Sequence, residues 1–182
     1  MPTWIWLFII LTGSLFGLKM IYILCVAAAL PATQGALYVS TTRARIAAFI
    51  AAVPMKPGQV LVDLGCGDGR VLRYARRHYN IRAIGFEVNL LAYLKARILG
   101  LGLKNVELRF KDFWSQNLAE ADVVFCYLFP DVMQKLSAKL KAELKPGTLV
   151  VSCNFALPGI SLLRILRPEG SLHSDPLYIY RT

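Results

Sequence analysis

The run Val60-Leu61-Val62-Asp63-Leu64-Gly65-Cys66-Gly67-Asp68-Gly69-Arg70 allows this chain few folds. A short apolar stretch ends in an acid, glycine follows at alternate positions, and a helical pattern then begins. The apolar stretch reads as a buried strand. The glycines let the backbone turn sharply and bring its N–H groups close to a ligand. The next helix turns the positive end of its dipole to the same space. Together these features describe a socket for a nucleoside-bearing cofactor at the carboxyl end of a parallel strand.

The usual dinucleotide fingerprint is G-x-G-x-x-G, with a pyrophosphate over the glycines. Here the third glycine comes early and Arg70 stands in its place. Asp63 also puts a carboxylate where a pyrophosphate has its anionic oxygens. That carboxylate suits a cation, such as the α-amino group of a methionine moiety. The pattern D-x-G-x-G-x-G resembles motif I of the class I S-adenosylmethionine (SAM)-dependent methyltransferases. The resemblance implies that Asp63, Gly65, Cys66, Gly67 and Gly69 hold the methionine part of SAM, with S-adenosylhomocysteine as product. Residues 81–86 read as a second strand ending in Glu87, where an acid accepts hydrogen bonds from ribose hydroxyls. Residues 106–110 read as a third strand, followed by Lys111-Asp112-Phe113. In the resembled class an acid here bonds the adenine amino group, so Asp112 takes that place and Phe113 or Trp114 packs on the ring.

Outside the motif the chain is unusually apolar, with 56% hydrophobic residues. Its 182 residues suffice for one domain and an appendage. Residues 4–30 carry one charge, Lys19, and are long enough to span a bilayer. Trp4, Trp6 and Tyr22 suit interfacial positions. Lys19 at mid-membrane costs about 3 kcal/mol unless it snorkels or marks the edge of a shorter span. A cleavable signal peptide is the rival reading, with Ala27, Ala28 and Ala29 as small residues for a peptidase. The missing basic start and the long apolar run favour a retained anchor. Arg43, Arg45 and Lys56 follow it, which places the rest of the chain in the cytoplasm, at the inner membrane if the source is bacterial. The expected organisation is an anchor over 1–31, a pre-core segment and helix over 32–58, and a catalytic domain over 59–182.

The four cysteines, Cys25, Cys66, Cys126 and Cys153, form no C-x-x-C pair and read as reduced, small apolar residues. His78 and His173 have no ligand spacing, so no metal site is expected. The net charge of +10 suits anionic lipid head groups. Its basic residues are spread along helix faces without a recognised nucleic-acid module, which argues against RNA or DNA.

Thr41 or Thr42 caps a helix that runs to about Val53. From the first strand onward, helices over 68–79, 89–99 and 132–144 alternate with strands near 81–86, 106–110, 121–128 and 148–153. The fourth strand is apolar enough to be central. Two terminal strands, 162–166 and 177–180, are separated by turn residues. The fold class is therefore α/β: a doubly wound, mostly parallel sheet. The two terminal strands resemble the closing antiparallel hairpin of the seven-stranded, Rossmann-like methyltransferase sheet, here preceded by an N-terminal hydrophobic helix.

Methyl transfer needs donor and nucleophile held in line with water excluded. The place to look is the end of the fourth strand, Cys126-Tyr127-Leu128-Phe129-Pro130-Asp131. It lacks the Asn-Pro-Pro-Tyr arrangement of many amino-group DNA methyltransferases. Leu128-Phe129-Pro130-Asp131-Val132-Met133, Leu136, Leu140, Glu143-Leu144 and Ser152-Cys153-Asn154-Phe155-Ala156-Leu157-Pro158-Gly159 resemble the small membrane-associated lysine methyltransferases. Members act on the adenine nucleotide translocase and the ATP synthase c subunit. Tyr38-Val39-Ser40-Thr41-Thr42 resembles their pre-core segment. The resemblance implies that Tyr38, Thr41 and Thr42 close over SAM and that Phe129 and Pro130 wall a lysine channel. It gives Asp131 the substrate ammonium or its proton, beside the alternative of capping the next helix. Tyr127 lines the channel or belongs to the core. Asn154 and Phe155 border the pocket or simply turn the chain. The expected function is SAM-dependent methylation of a lysine on a membrane-associated protein. Methylation of a lipid or quinone-like molecule, and a non-catalytic SAM-binding module, are the alternatives.

Overall fold

The structure, a computed structural model, describes residues 2–29, 40–168 and 175–182. A long helix α1 (Thr3–Ala29) precedes α2 (Arg43–Ala52). Strands and helices then alternate as β1 (Val60–Leu64), α3 (Arg70–His78), β2 (Arg82–Glu87), α4 (Leu90–Leu99), β3 (Val106–Phe110) and β4 (Val123–Cys126). After α5 (Met133–Glu143) come β5 (Leu149–Cys153), β6 (Ser161–Leu166) and β7 (Leu177–Arg181). The sheet has seven strands in the order β3-β2-β1-β4-β5-β7-β6, with β4 at its centre. The first five strands are mutually parallel, and β7 runs antiparallel between β5 and β6.

The crossovers set which face each helix covers. Strand–helix–parallel-strand connections are right-handed. Stepping outward from β1 to β3 puts α3 and α4 on one face, and stepping back through β4 to β5 puts α5 on the other. Side chains alternate accordingly. Leu61, Phe125 and Val151 pack with Phe49 of α2 and Leu72 of α3. Val62, Val124 and Val150 pack with Leu136 and Leu140 of α5. Both faces are covered, which is why the central strands read as almost unbroken apolar runs. The Phe49 and Phe125 rings lie 5.0 Å apart and fix α2 to the middle of the sheet.

Local chemistry sets the helix starts. The Thr42 hydroxyl accepts from Arg45 N, and Asn89 Oδ1 accepts from Leu91 N and Ala92 N at 3.0 and 3.1 Å. α3 has no side-chain cap. Gly69 precedes it at φ +71°, so α3 starts at Arg70, two residues later than its pattern suggests. β4 stops at Cys126, where its ladders with both neighbours end: Leu64 pairs with Cys126, and Cys126 with Ser152. Tyr127 and Leu128, expected within the strand, therefore lie in the loop beyond it.

α1 runs beside α4, and from Thr3 to Leu24 its residues stay exposed, apart from half-buried Ile5 and Gly17. Its segment Thr3–Leu24 is long and apolar enough to cross a membrane. Lys19 lies exposed on the continuous helix.

Candidate active site

The β1–α3 turn sits where the parallel strands end. Gly65, Gly67 and Gly69 all have positive φ, +76°, +56° and +71°, which side chains resist. Gly65 N and Cys66 N both donate to Phe86 O on β2, at 3.0 and 2.9 Å. β2 thereby holds the turn from behind. Gly85 makes that approach possible. A Cβ there would lie 2.5 Å from Leu72 Cδ1 and 2.6 Å from Cys66 Sγ.

A cleft opens over this turn. The expected residues Thr41, Asp63, Gly65, Cys66, Gly67 and Tyr127 line it. Ser40, Asp68, Arg70, Val71 and Phe125, which the motif reading did not assign to the site, line it too. Asp63 ends up here by alternation: Leu61 faces α2 and α3, so Asp63 does as well. It is 3% exposed, and among the described residues its carboxylate has no hydrogen-bond or ion-pair partner. Burial pushes its pKa well up, and the nearby carboxylates of Glu87 and Asp68 add to the shift.

Asp68 is the opposite case. Its carboxylate accepts from Arg70 Nε at 2.9 Å and Nη2 at 2.8 Å, and Lys95 Nζ stands 3.4 Å away. Burial alone would raise its pKa, but Arg70, Lys95 and Arg73 together bring it down to about 2. Arg70 also donates to Thr41 O at 3.1 Å, which ties the pre-core segment to the turn. Arg70, noted in the sequence only as a missing glycine, thus closes one side of the cleft. The spacing Asp68-x-Arg70 was the available signal.

Glu87 stands behind the turn. Oε2 accepts from Gly67 N at 2.7 Å, and Oε1 accepts from Val88 N and Asn89 N at 2.9 and 2.7 Å. Burial raises its pKa, and those three amides hold the rise back. One side chain thus fixes both the glycine turn and the entry to α4. A carboxylate accepts roughly four hydrogen bonds, so acceptor capacity remains for a ligand hydroxyl. Asp112 caps a short 3-10 turn, Phe113–Ser115, through Trp114 N at 3.0 Å. Phe113 is buried in the core layer on the α5 side, while Trp114 is half-buried with Lys135 Nζ 4.3 Å from its ring centre. Of the two aromatics, Trp114 is therefore the more open to a ring.

Beyond β4, the Tyr127 hydroxyl accepts from Asn154 Nδ2 at 3.4 Å, and the Arg45 guanidinium lies 5.4 Å from the Tyr127 ring centre. Arg45 is buried and ion-paired with Asp175 at the approach to β7. Asn154 has φ +68°, and its Oδ1 is buried without a partner. Polar groups in that state are rare in proteins and concentrate at functional sites. Phe129 and Pro130 are exposed and lie outside the cleft lining. Asp131 does not cap α5. It sits inside a 3-10 turn, Pro130–Val132, with Val132 at the cap. Among the described residues its exposed carboxylate has no partner. Thr42 serves as a helix cap rather than a cleft wall, and Tyr38 lies outside the described residues. Cys66, Cys126 and Cys153 are buried free thiols. Burial raises each of them, Cys126 to about 12, so none is a thiolate nucleophile.

Comparison with known proteins agrees with this geometry. A family model described as the ANTKMT methyltransferase domain matches residues 63–164. The chain belongs to that family. It is 31% identical over 147 residues to a protein-lysine N-methyltransferase of Saccharolobus islandicus, covering 79% of this chain and 91% of the relative. It is 36% identical to the adenine nucleotide translocase lysine N-methyltransferase of Mus musculus, covering 66% of this chain and 54% of that protein. Among solved structures, an RNA methyltransferase from Salinibacter ruber in complex with S-adenosyl-L-homocysteine superposes with a TM-score of 0.71. That match is 32% identical and covers 79% of this chain and 93% of the other. This ANTKMT-family chain is thus a methyltransferase with SAM as its cofactor. The residues present fit that cofactor. The buried carboxylate of Asp63, without a partner among the described residues, suits a cation, and the glycine turn leaves room where any Cβ would be strained.

Proposed function

We propose that this protein is a membrane-anchored protein-lysine N-methyltransferase acting on a membrane-associated protein. The observation that carries the reading is the Saccharolobus islandicus relative, a protein-lysine N-methyltransferase matched over nine-tenths of its length. The span-length helix α1 adds the membrane.

SAM supplies an electrophilic methyl group on a sulfonium. The chain's own residues do the rest. Asp63 holds the ammonium of the methionine part, Glu87 takes a ribose hydroxyl with its remaining acceptor capacity, and Asp112 lies toward the adenine. Thr41, held by Arg70, covers the carboxylate end. The incoming lysine has to arrive neutral, and entry into a low-dielectric channel lowers its pKa. Two acceptors orient its N–H bonds: Asn154 Oδ1, which lacks a partner, and the Tyr127 hydroxyl beside it. The nitrogen lone pair is then left for the methyl group. Asp131 stands exposed in the turn beyond β4 and takes the departing proton or steers the ammonium in. The membrane anchor leaves the catalytic domain on the cytoplasmic side.

RNA is the second reading, because the Salinibacter ruber relative is an RNA methyltransferase. The test is to incubate the full chain with methyl-labelled SAM and host membranes. Label that protease removes and ribonuclease leaves, located on lysine by mass spectrometry, supports the proposal. Label lost to ribonuclease, or found only in the organic extract, overturns it in favour of RNA or a lipid.

A further inference from the structure

α4 carries an apolar face that the fold does not use. Its one buried residue, Ala96, meets the Gly69 turn. At about 100° per residue, Leu90, Leu94 and Ile98 fall on the opposite side of the helix, and Leu101 continues the stripe just past its end. These side chains stay open even with α1 alongside: Leu94 is 45%, Ile98 66% and Leu101 78% exposed. Contiguous apolar surface of this kind marks an interaction site. On the same helical wheel Arg97 stands on one flank of the stripe and Lys95 on the other. Both are exposed, although Lys95 also reaches Asp68. An apolar stripe bordered by basic residues on both sides is the pattern of a helix lying in a membrane interface, its leucines among acyl chains and its cations at phosphates.

The geometry points to α4 as a second membrane contact, a face that seats the catalytic domain on the cytoplasmic leaflet of an anionic bilayer. The occupant follows from what lies next to the stripe. α1, the span-length helix, runs beside α4, so a bilayer that holds α1 also reaches the α4 face. The chain's net charge of +10 suits the same surface. The inference rests on the anchor part of the proposed function. Its consequence is orientation. α4 begins three residues after Glu87, so seating it holds the cofactor end of the sheet at a fixed height above the lipid. Lys95 links that seat to Asp68 in the glycine turn.

The test uses the full chain in phosphatidylcholine–phosphatidylglycerol vesicles. A fluorophore is placed on Ile98→Cys, in a Cys25→Ser background because the other three cysteines are buried. A control label sits on Ala138→Cys, exposed on α5 across the sheet. Nitroxides on the acyl chains are expected to quench the label at 98 severalfold more than the label at 138. Adding Leu94→Glu and Leu101→Glu is expected to abolish the difference while SAM affinity is retained, which shows the fold intact. A label at 98 as open to aqueous iodide as the control, in protein that resists carbonate extraction, overturns the docking face and leaves the anchor standing. Carbonate release with the label at 98 still quenched by acyl chains overturns the anchor and keeps the face. Shielding of 98 only when membrane proteins are present assigns the face to a protein partner and overturns the lipid proposal.

Discussion

Asp63→Asn separates binding from folding more cleanly than any other change in this site. The wild-type carboxylate is buried, has no partner among the described residues, and faces two further acids, Glu87 and Asp68. Ionising it in the empty protein costs free energy, and its raised pKa states that cost. The amide removes the charge at nearly constant volume. Apo Asp63→Asn is therefore expected to be as stable as wild type or more so at neutral pH, by urea unfolding. Cofactor binding moves the other way. A charge-assisted hydrogen bond to the methionine ammonium contributes about 1.5–3 kcal/mol, so the SAM Kd rises about tenfold to a hundredfold. The pH dependence gives a third reading. A carboxyl with a raised pKa must release its proton to receive a cation, so wild-type affinity climbs with pH until that pKa is passed and then levels off. The stability sign is opposite. The folded state holds this proton more tightly than the unfolded chain, so the Asp63 contribution to stability falls as pH rises through the same window. Calorimetry in buffers of different ionisation enthalpy is expected to show proton release on SAM binding in the wild type and none in Asp63→Asn. An unchanged Kd, or an apo protein that loses several kcal/mol of stability, refutes the assignment of Asp63 to the cofactor cation.

Three further outcomes follow from the same geometry. Glu87→Ala leaves Gly67 N, Val88 N and Asn89 N without their acceptor; it is expected to cost about 1–3 kcal/mol of stability and to weaken SAM binding, and calorimetry showing unchanged affinity counts against its ribose role. Arg70, Lys95 and Arg73 hold the Asp68 carboxyl down at about 2, below the ordinary carboxylate range; its stabilising pairing is complete above the unfolded pKa and is lost as pH falls through the folded one, so Asp68→Asn is expected to flatten the acid-unfolding profile between about pH 4 and 2. Tyr127→Phe and Asn154→Ala are expected to lower kcat about tenfold or more with SAM affinity retained, and a parallel loss of SAM binding in both assigns them to the cofactor pocket instead.

The β1–α3 turn was legible because its chemistry is local. An acid, glycines at alternate positions and a helix start occupy a dozen consecutive residues, and no distant contact is needed to interpret them. The doubly wound parallel sheet was legible for a related reason, since strands that alternate with helices imply it. What escaped is nonlocal. Arg45 sits in the first turn of a mostly apolar helix, and only packing shows it buried against Tyr127 and paired with Asp175. Asn154 looks like a turn residue until its Oδ1 is found buried and unpartnered. Phe113 and Trp114 are adjacent aromatics, and only the 3-10 turn capped by Asp112 sends one into the core and leaves the other at the edge. Asp131 precedes a helix like a cap, yet a second short turn moves the cap to Val132.

Gly85 bears on how tolerance to substitution along this chain will be read. Leu72 Cδ1 and Cys66 Sγ fill the volume that any side chain at 85 would need. A survey of all single variants scored on methyl transfer would therefore rank position 85 beside Asp63. Scored on soluble yield, the two would part. Gly85 would remain intolerant, because the fault lies in packing the turn onto β2. Asp63 would accept its near-isosteric amide, because the charge serves the ligand while the buried volume serves the fold. The comparison of the two screens, more than either alone, tells architecture from chemistry at this end of the sheet.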